Sequence, residues 1–192
     1  MNWQETRNTL IAAGIPAARL PEEWQPGIDL RGADLSRADL TGVNLRDADL
    51  RGADLRVANL RDADLREASL TGANLRAADL TEATLREADL RGADLSRADL
   101  TGVNLSYADL TGAVGPFTTF SAGRHTAVFA GGYGSIGCFR RTYDEWLADY
   151  AAIGAANGYT PEEIAEYGQF IALAVARQRR IEAAPDAGGE EG

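Results

Sequence analysis

Cys138 and His125 are the only cysteine and the only histidine in the 192-residue chain, so they are the only residues that could form a thiolate–imidazole pair. They stand thirteen residues apart in a glycine-punctuated stretch, a spacing that permits contact without requiring it. A lone cysteine in an apolar strand is usually a packing residue, so no catalytic residue is assigned. An enzyme built on Cys138 and His125 ranks third among the functional readings. A single histidine also excludes a histidine-rich metal site. The many aspartates invite a calcium reading, but calcium-binding β-rolls gather several oxygens around one ion from glycine- and aspartate-rich nonapeptides. Here one carboxylate per five residues projects outward, often beside an arginine. No GxxxxGK[ST] run precedes a helix, so the glycines form no phosphate loop. No cofactor and no metal is expected.

Those aspartates belong to a repeat. From Ile28 to Ala113 a leucine occupies every fifth position, Leu30 through Leu110, seventeen times. Two residues before each leucine stands alanine, except at Ile28, Val43 and Val103, and between them Asp at eleven positions, Asn at four, then Ser69 and Thr84. A period of five fits neither the 3.6 residues of a helix turn nor the two of a flat strand. It fits a square coil, with one pentad per side and twenty residues per turn. Leucine and alanine then point inward, and a second large residue on each side would overfill the interior. Coils stacked at about 4.8 Å give about four coils and a rod roughly 20 Å long.

This A-[D/N]-L-x-x pattern resembles the pentapeptide-repeat family. The resemblance implies an all-β solenoid, a right-handed quadrilateral β-helix, over residues 28–114. Residues twenty apart should stack, which sorts the outward positions. One corner carries Gly32, Gly52, Gly72, Gly92 and Gly112, which calls either for positive φ or for close packing on the backbone. Another carries Arg46, Arg66 and Arg86 beside Asp47, Glu67 and Glu87, with Tyr107 in the last coil. That column reads as a compensating charge ladder and is the candidate interaction face. The other faces mix Arg56, Arg76, Thr41, Arg61, Thr81, Asp62 and Glu82. The fifteen residues at 31–45 recur unchanged at 91–105, sixty residues or three coils away, as duplication of whole coils would produce.

The flanks read as caps. Residues 1–27 form an N-terminal helical cap, with a helix over 2–13 closed by Gly14 and with Trp3 and Trp24 covering the open leucine core. Residues 115–141 are an irregular β segment of two or three strands with turns near Gly123 and at Gly131-Gly132. Residues 142–183 form a two-helix module with T-x-x-E capping boxes at Thr142/Glu145 and Thr160/Glu163. Residues 184–192 are a disordered acidic tail. Trp146, Tyr150, Tyr167 and Ile171 on the two helices are the candidate docking or dimerisation residues, giving an expected homodimer. The stretch from Ser135 to Tyr167 also resembles a C-terminal module of phage and actinobacterial pentapeptide-repeat proteins that has no assigned activity.

All nineteen basic residues are arginine, and the net charge is −10. The charge argues against direct nucleic-acid binding, which needs a basic footprint. No apolar run approaches the roughly twenty residues of a membrane span, and one cysteine allows no internal disulfide. These features lead to the expectation of a cytoplasmic protein of a bacterium or its phage. Two readings of different class follow. The first is a non-catalytic module that binds a protein partner through a rigid face. The second is implied by family members resembling quinolone-resistance factors: an acidic dimeric rod that mimics DNA and occupies DNA gyrase. Eleven arginines on the coils, and a leucine that is never replaced by phenylalanine, place the mimic second.

Overall fold

The computed structural model describes residues 3–23, 25, 27–122, 125–136 and 139–183. Residues 28–114 form a β-helix in which each residue preceding a leucine makes a parallel bridge to the residue twenty further on, from Asp29↔Asp49 to Asp94↔Val114. Every leucine from Leu30 to Leu110 is buried, and so are the residues two places before them apart from the half-buried Ala38.

Counting donors explains the pentad. In the stretch Leu50–Asp54, the Leu50 and Gly52 N–H groups donate to the Ser69 and Thr71 carbonyls of the next coil at 2.8 and 3.0 Å. The Asp54 N–H donates back to Ala33 at 2.9 Å, and the Ala53 N–H closes the corner on the Leu50 carbonyl at 3.0 Å. The Arg51 N–H is left over, and it donates to Oδ1 of Asp49 at 3.3 Å. A buried or shielded donor must find a partner, and a short Asp or Asn side chain reaches the N–H two residues on. That bond occurs at every one of the fifteen Asp and Asn positions, for example at Asp29, Asn44, Asp79 and Asn104. Among the described residues it is missing at Ser69 and Thr84.

Each corner is a four-residue turn whose second central residue has positive φ. That conformation is not confined to the glycine corner: Arg37, Asp47, Val57, Asp62, Glu67, Ala77, Glu82, Glu87, Arg97 and Tyr107 adopt it with φ between 56 and 63°. Nothing lies within 4 Å of a Cβ built on Gly32, Gly52, Gly72 or Gly92, so close packing does not explain the glycine column.

Helix α1 (Trp3–Ala12) and a 3₁₀ turn (Ala17–Arg19) lie at the N-terminal end of the coils. Leu10, Ile15 and Leu20 join the leucine core, with half-buried Trp3 against it. The hydroxyl of fully buried Thr6 accepts the Asn44 N–H at 3.1 Å, taking the place of a carbonyl from a coil that does not exist. Trp24 lies outside the described residues.

After the last coil, strands β1 (Thr118–Ala122), β2 (His125–Ala130), β3 (Tyr133–Ile136) and β4 (Phe139–Thr142) form one antiparallel meander in the order β1-β2-β3-β4. The sequence suggested at most three strands; FRRT does not read as a strand, yet its backbone pairs with β3 from Tyr133↔Thr142 to Ile136↔Phe139. Side chains alternate along β2. Val128 and Ala130 join the leucine core, whereas Ala127 and Phe129 join a second core with helices α2 (Tyr143–Ala156) and α3 (Pro161–Ala183). The sheet is therefore packed between the coil end and the helix pair.

Both helices begin in reciprocal capping boxes, Thr142 with Glu145 and Thr160 with Glu163. Trp146, Tyr167 and Ile171 are at most 6% exposed and Tyr150 is half-buried. They fasten α2 and α3 to the sheet and to each other rather than lying on a free surface, because a helix pair laid on a sheet buries its largest apolar side chains there first. The docking assignment of these four residues is corrected accordingly. Residues 184–192 and Cys138 lie outside the described residues, and so does any Cys138–His125 contact.

Candidate interaction surface

The corner that begins with Arg46 brings its residues together as a ladder. Arg46 Nη2 lies 2.5 Å from Glu67 one coil on, and its Nε lies 3.5 Å from Asp47. Arg66 clamps Asp64 with two bonds, at 2.8 and 2.5 Å. Arg86 pairs with Glu87 at 2.8 Å, and its guanidinium carbon lies 5.9 Å from the centroid of the half-exposed Tyr107 ring. All seven residues of the expected face thus share one corner, and most of their charge is answered within it.

A rule governs the partners. Where Asp precedes the leucine and Arg follows it, the guanidinium turns back in two-pronged fashion on that Asp: Arg31 on Asp29, Arg51 on Asp49, Arg56 on Asp54, Arg66 on Asp64, Arg91 on Asp89. Where Asn or Thr takes that place, Arg46, Arg61 and Arg86 reach instead to Glu67, Asp79 and Glu87, whereas Arg76, after Asn74, forms no ion pair among the described residues. Where Ser or Thr follows, as at Ser36, Thr41 and Thr111, the hydroxyl donates to the Asp. The Arg51 guanidinium holds the Asp49 carboxyl below the usual carboxylate range, and the Thr41 hydroxyl does the same for Asp39. Exposed ion pairs of this kind contribute little each, but they decide which charges face a partner.

The C-terminal end is held by polar side chains that the sequence did not single out. The Gly102 N–H donates to the Gly131 carbonyl at 3.0 Å. Arg140 donates to the carbonyls of Gly102 and Val103 while lying 3.8 Å over the Tyr133 ring, so it closes the edge of the last coil. Gln178 is fully buried on α3; it donates to the Pro116 carbonyl at 2.7 Å and accepts from Thr118 at 3.1 Å. Burial raises the Tyr143 phenol, as does its bond to Glu182. No local pattern announces Arg140 or Gln178, because their hydrogen-bond partners lie more than thirty residues away.

Sorting by corner shows how charge is laid out. The corner beginning at Thr41 carries Asp39, Asp62, Asp79, Glu82 and Asp99 against Arg61 alone. The corner beginning at Ser36 carries Arg37, Arg56, Arg76 and Arg97 against Asp34, Asp54 and Asp94. Among the described residues no three His, Cys, Asp or Glu side chains are grouped to hold a metal ion, and no helix is long and apolar enough to cross a membrane.

Comparison with known proteins bears on the coils. The family described as pentapeptide repeats matches residues 27–56, 58–97 and 78–114. A pentapeptide repeat protein of Nostoc Pcc 7120 is 46% identical over 42% of this chain and 62% of its own, with a TM-score of 0.32. HetL, from Nostoc sp. strain PCC 7120 and involved in heterocyst differentiation regulation, is 37% identical over 50% of this chain and 55% of its own, with a TM-score of 0.32. QnrB1, a plasmid-mediated fluoroquinolone resistance protein, is 24% identical over 44% and 59%, with a TM-score of 0.29. The chain spans more than half but less than two thirds of the length of each. A search of curated protein sequences finds no match. Pentapeptide repeats imply a right-handed quadrilateral β-helix, and proteins built on them are generally structural or interaction proteins. Through residues 27–114 this chain belongs to the pentapeptide-repeat family.

Proposed function

We propose that the protein is a non-catalytic interaction module: a rigid β-helix of about four coils whose outer corners dock a protein partner. In this reading residues 1–27 and 115–141 close the two ends, and residues 142–183 brace the C-terminal sheet. The observation that carries it is the absence of slack in the coils, where all five N–H groups of the Leu50–Asp54 pentad are bonded, so side chains stand on a fixed grid. The Arg46–Tyr107 corner is the proposed docking face, with Arg46, Asp47, Arg66, Glu67, Arg86, Glu87 and Tyr107 as its contacts. Partner capture from a bacterial lysate tests it. The triple variant Arg46→Glu/Arg86→Glu/Tyr107→Ala should lose a partner that the wild type retains. Retention of every captured protein would remove this face from consideration.

The alternative is a DNA-mimicking ligand of gyrase. It is favoured by the corner with five carboxylates, on which Arg61, paired with Asp79, is the one balancing charge. It is weakened by the turn geometry, since Asp39, Asp79 and Asp99 spend an oxygen on the N–H two residues ahead. A supercoiling assay with purified gyrase separates the readings. The interaction-module reading expects no inhibition at large molar excess, whereas a mimic inhibits and loses potency on Asp62→Arg/Glu82→Arg.

A further inference from the structure

We propose that the corner diagonal to the Arg46–Tyr107 column is a second docking site, fitted to an extended segment of a partner protein with one apolar residue between two carboxylates. It does not depend on the first site. The column runs Arg37, Val57, Ala77, Arg97 at the positive-φ position, with Arg56 and Arg76 beside the middle two.

Val57 is the anomaly. A β-branched residue at φ 59° is a conformational outlier, and glycine occupies the equivalent place throughout the adjoining glycine corner. The side chain is not buried in return, since Val57 is 57% exposed. Strain that is kept at a surface position points to a use at that surface. Charge gives the partner. This is the only corner on which arginines outnumber acids, in a chain of net charge −10. Arg37 and Arg76 form no ion pair among the described residues, while Arg56 is held by Asp54. An apolar centre with arginine above and below it calls for a segment of opposite pattern.

Spacing selects the conformation of that segment. Arg37 and Arg97 are three coils apart, about 14 Å at the inter-strand spacing. In an extended chain, carboxylates four residues apart are also separated by about 14 Å, and they share a face with the residue midway between them. That middle side chain would rest on Val57 and Ala77. A helix covers the same distance in about nine residues, which places its two ends on opposite sides. A nucleic acid offers no apolar centre and meets the net negative charge of the rod.

Two fluorescein-labelled peptides of identical composition test the site by anisotropy: Ser-Glu-Thr-Leu-Thr-Glu-Ser, and Ser-Glu-Leu-Thr-Thr-Glu-Ser, in which the leucine faces away from the glutamates. The first should bind about tenfold tighter, the scale of one apolar side chain's contact. Arg37→Glu/Arg97→Glu should abolish that binding. Val57→Gly should weaken it about fivefold while raising the thermal midpoint, which separates lost contact from lost fold. Arg46→Glu/Arg86→Glu should leave it unchanged. Equal affinity for the two peptides, no binding up to about 1 mM, or an equal loss from the Arg46/Arg86 variant would each overturn the proposal.

Discussion

At the corners the N–H following the leucine has no backbone carbonyl to reach, and at every Asp or Asn position the side chain two residues earlier accepts it. The aspartates are therefore turn caps first and charges second. Asp39 bonds the Thr41 N–H at 3.2 Å and its hydroxyl at 2.6 Å. Asp39→Asn keeps the acceptor and should change stability by less than about 0.5 kcal/mol, whereas Asp39→Ala should cost about 1 kcal/mol. Thr84→Asn, which supplies a missing acceptor, should gain a few tenths of that. Urea titration of the three variants checks the order; equal losses for Asn and Ala would mean that charge, not capping, fixes the residue. The same bonds set an acid limit. The carboxyls of Asp34, Asp39, Asp49, Asp54 and Asp94 are held below their ordinary range by hydroxyl or guanidinium donors. The folded state thus binds fewer protons than the unfolded chain near its carboxyl pKa of about 4. Stability is fully present above that pH and falls as pH drops through the folded values. The urea midpoint should be flat from about pH 8 to 5 and decline below about pH 4, with a shallower decline in Asp39→Asn/Asp94→Asn.

The elements at the two ends solve one problem by different means. Because the ladder bonds run in both directions between coils, each coil end presents both unpaired N–H groups and unpaired carbonyls, an invitation to edge-to-edge association. At the N-terminal end helix α1 accepts an N–H on the Thr6 hydroxyl; at the other end the sheet answers both kinds, Arg140 donating to carbonyls and the Gly131 carbonyl accepting the Gly102 N–H. A Cβ on Gly131 would sit 1.7 Å from the Leu100 carbonyl oxygen, at φ 53°, with backbone that cannot move aside. Gly131→Ala should therefore detach the sheet locally, a loss of about 3 kcal/mol. Trp146, whose indole N–H donates to the Gly134 carbonyl at 2.6 Å, would report it by fluorescence ahead of any change in the coil signal. Coincident transitions in wild type and variant would show that Gly131 is dispensable. The helices were legible in sequence because their signals are local: capping boxes, Pro161, and the turn at Asn157-Gly158, where Gly158 has φ 73°. The leucine column was legible because its period is exact over many turns. The corner conformation was not, since Glu67 or Tyr107 at positive φ contradicts local preference and is imposed by the inter-coil ladder. Nor could the sequence tell that Trp146 and Tyr167 are core rather than contact residues, because an aromatic stripe looks the same whether a sheet or a partner covers it. The candidate face was readable only as a column; that Arg66 turns back on Asp64 while Arg46 crosses to Glu67 depends on Asn44 replacing Asp.

Across the whole molecule, the charge is interleaved along the sequence but sorted in space, since stacking every twentieth residue gathers five acids on one corner and four arginines on the next. Such sorting lasts only if insertions and deletions come in whole coils, and the identical segments 31–45 and 91–105, three coils apart, fit that constraint. In a solenoid, stability is nearly a sum of coil and neighbour terms, so removing a whole coil should shorten the rod without undoing it. Excision of residues 46–65 joins Leu45 to Arg66 in unbroken pentad phase and keeps every later residue on its own corner. The product should unfold cooperatively at a lower midpoint, with a scattering length about 5 Å shorter. Excision of 46–63 removes nearly as many residues but joins Leu45 to Asp64, so two leucines fall two places apart and the alanine–leucine interior loses register at the join. That variant should lose cooperativity and expose its apolar core to a hydrophobic dye. If the two excisions behaved alike, twenty-residue phase would not be what holds the corners in line, and a docking site defined by its column would have no fixed address.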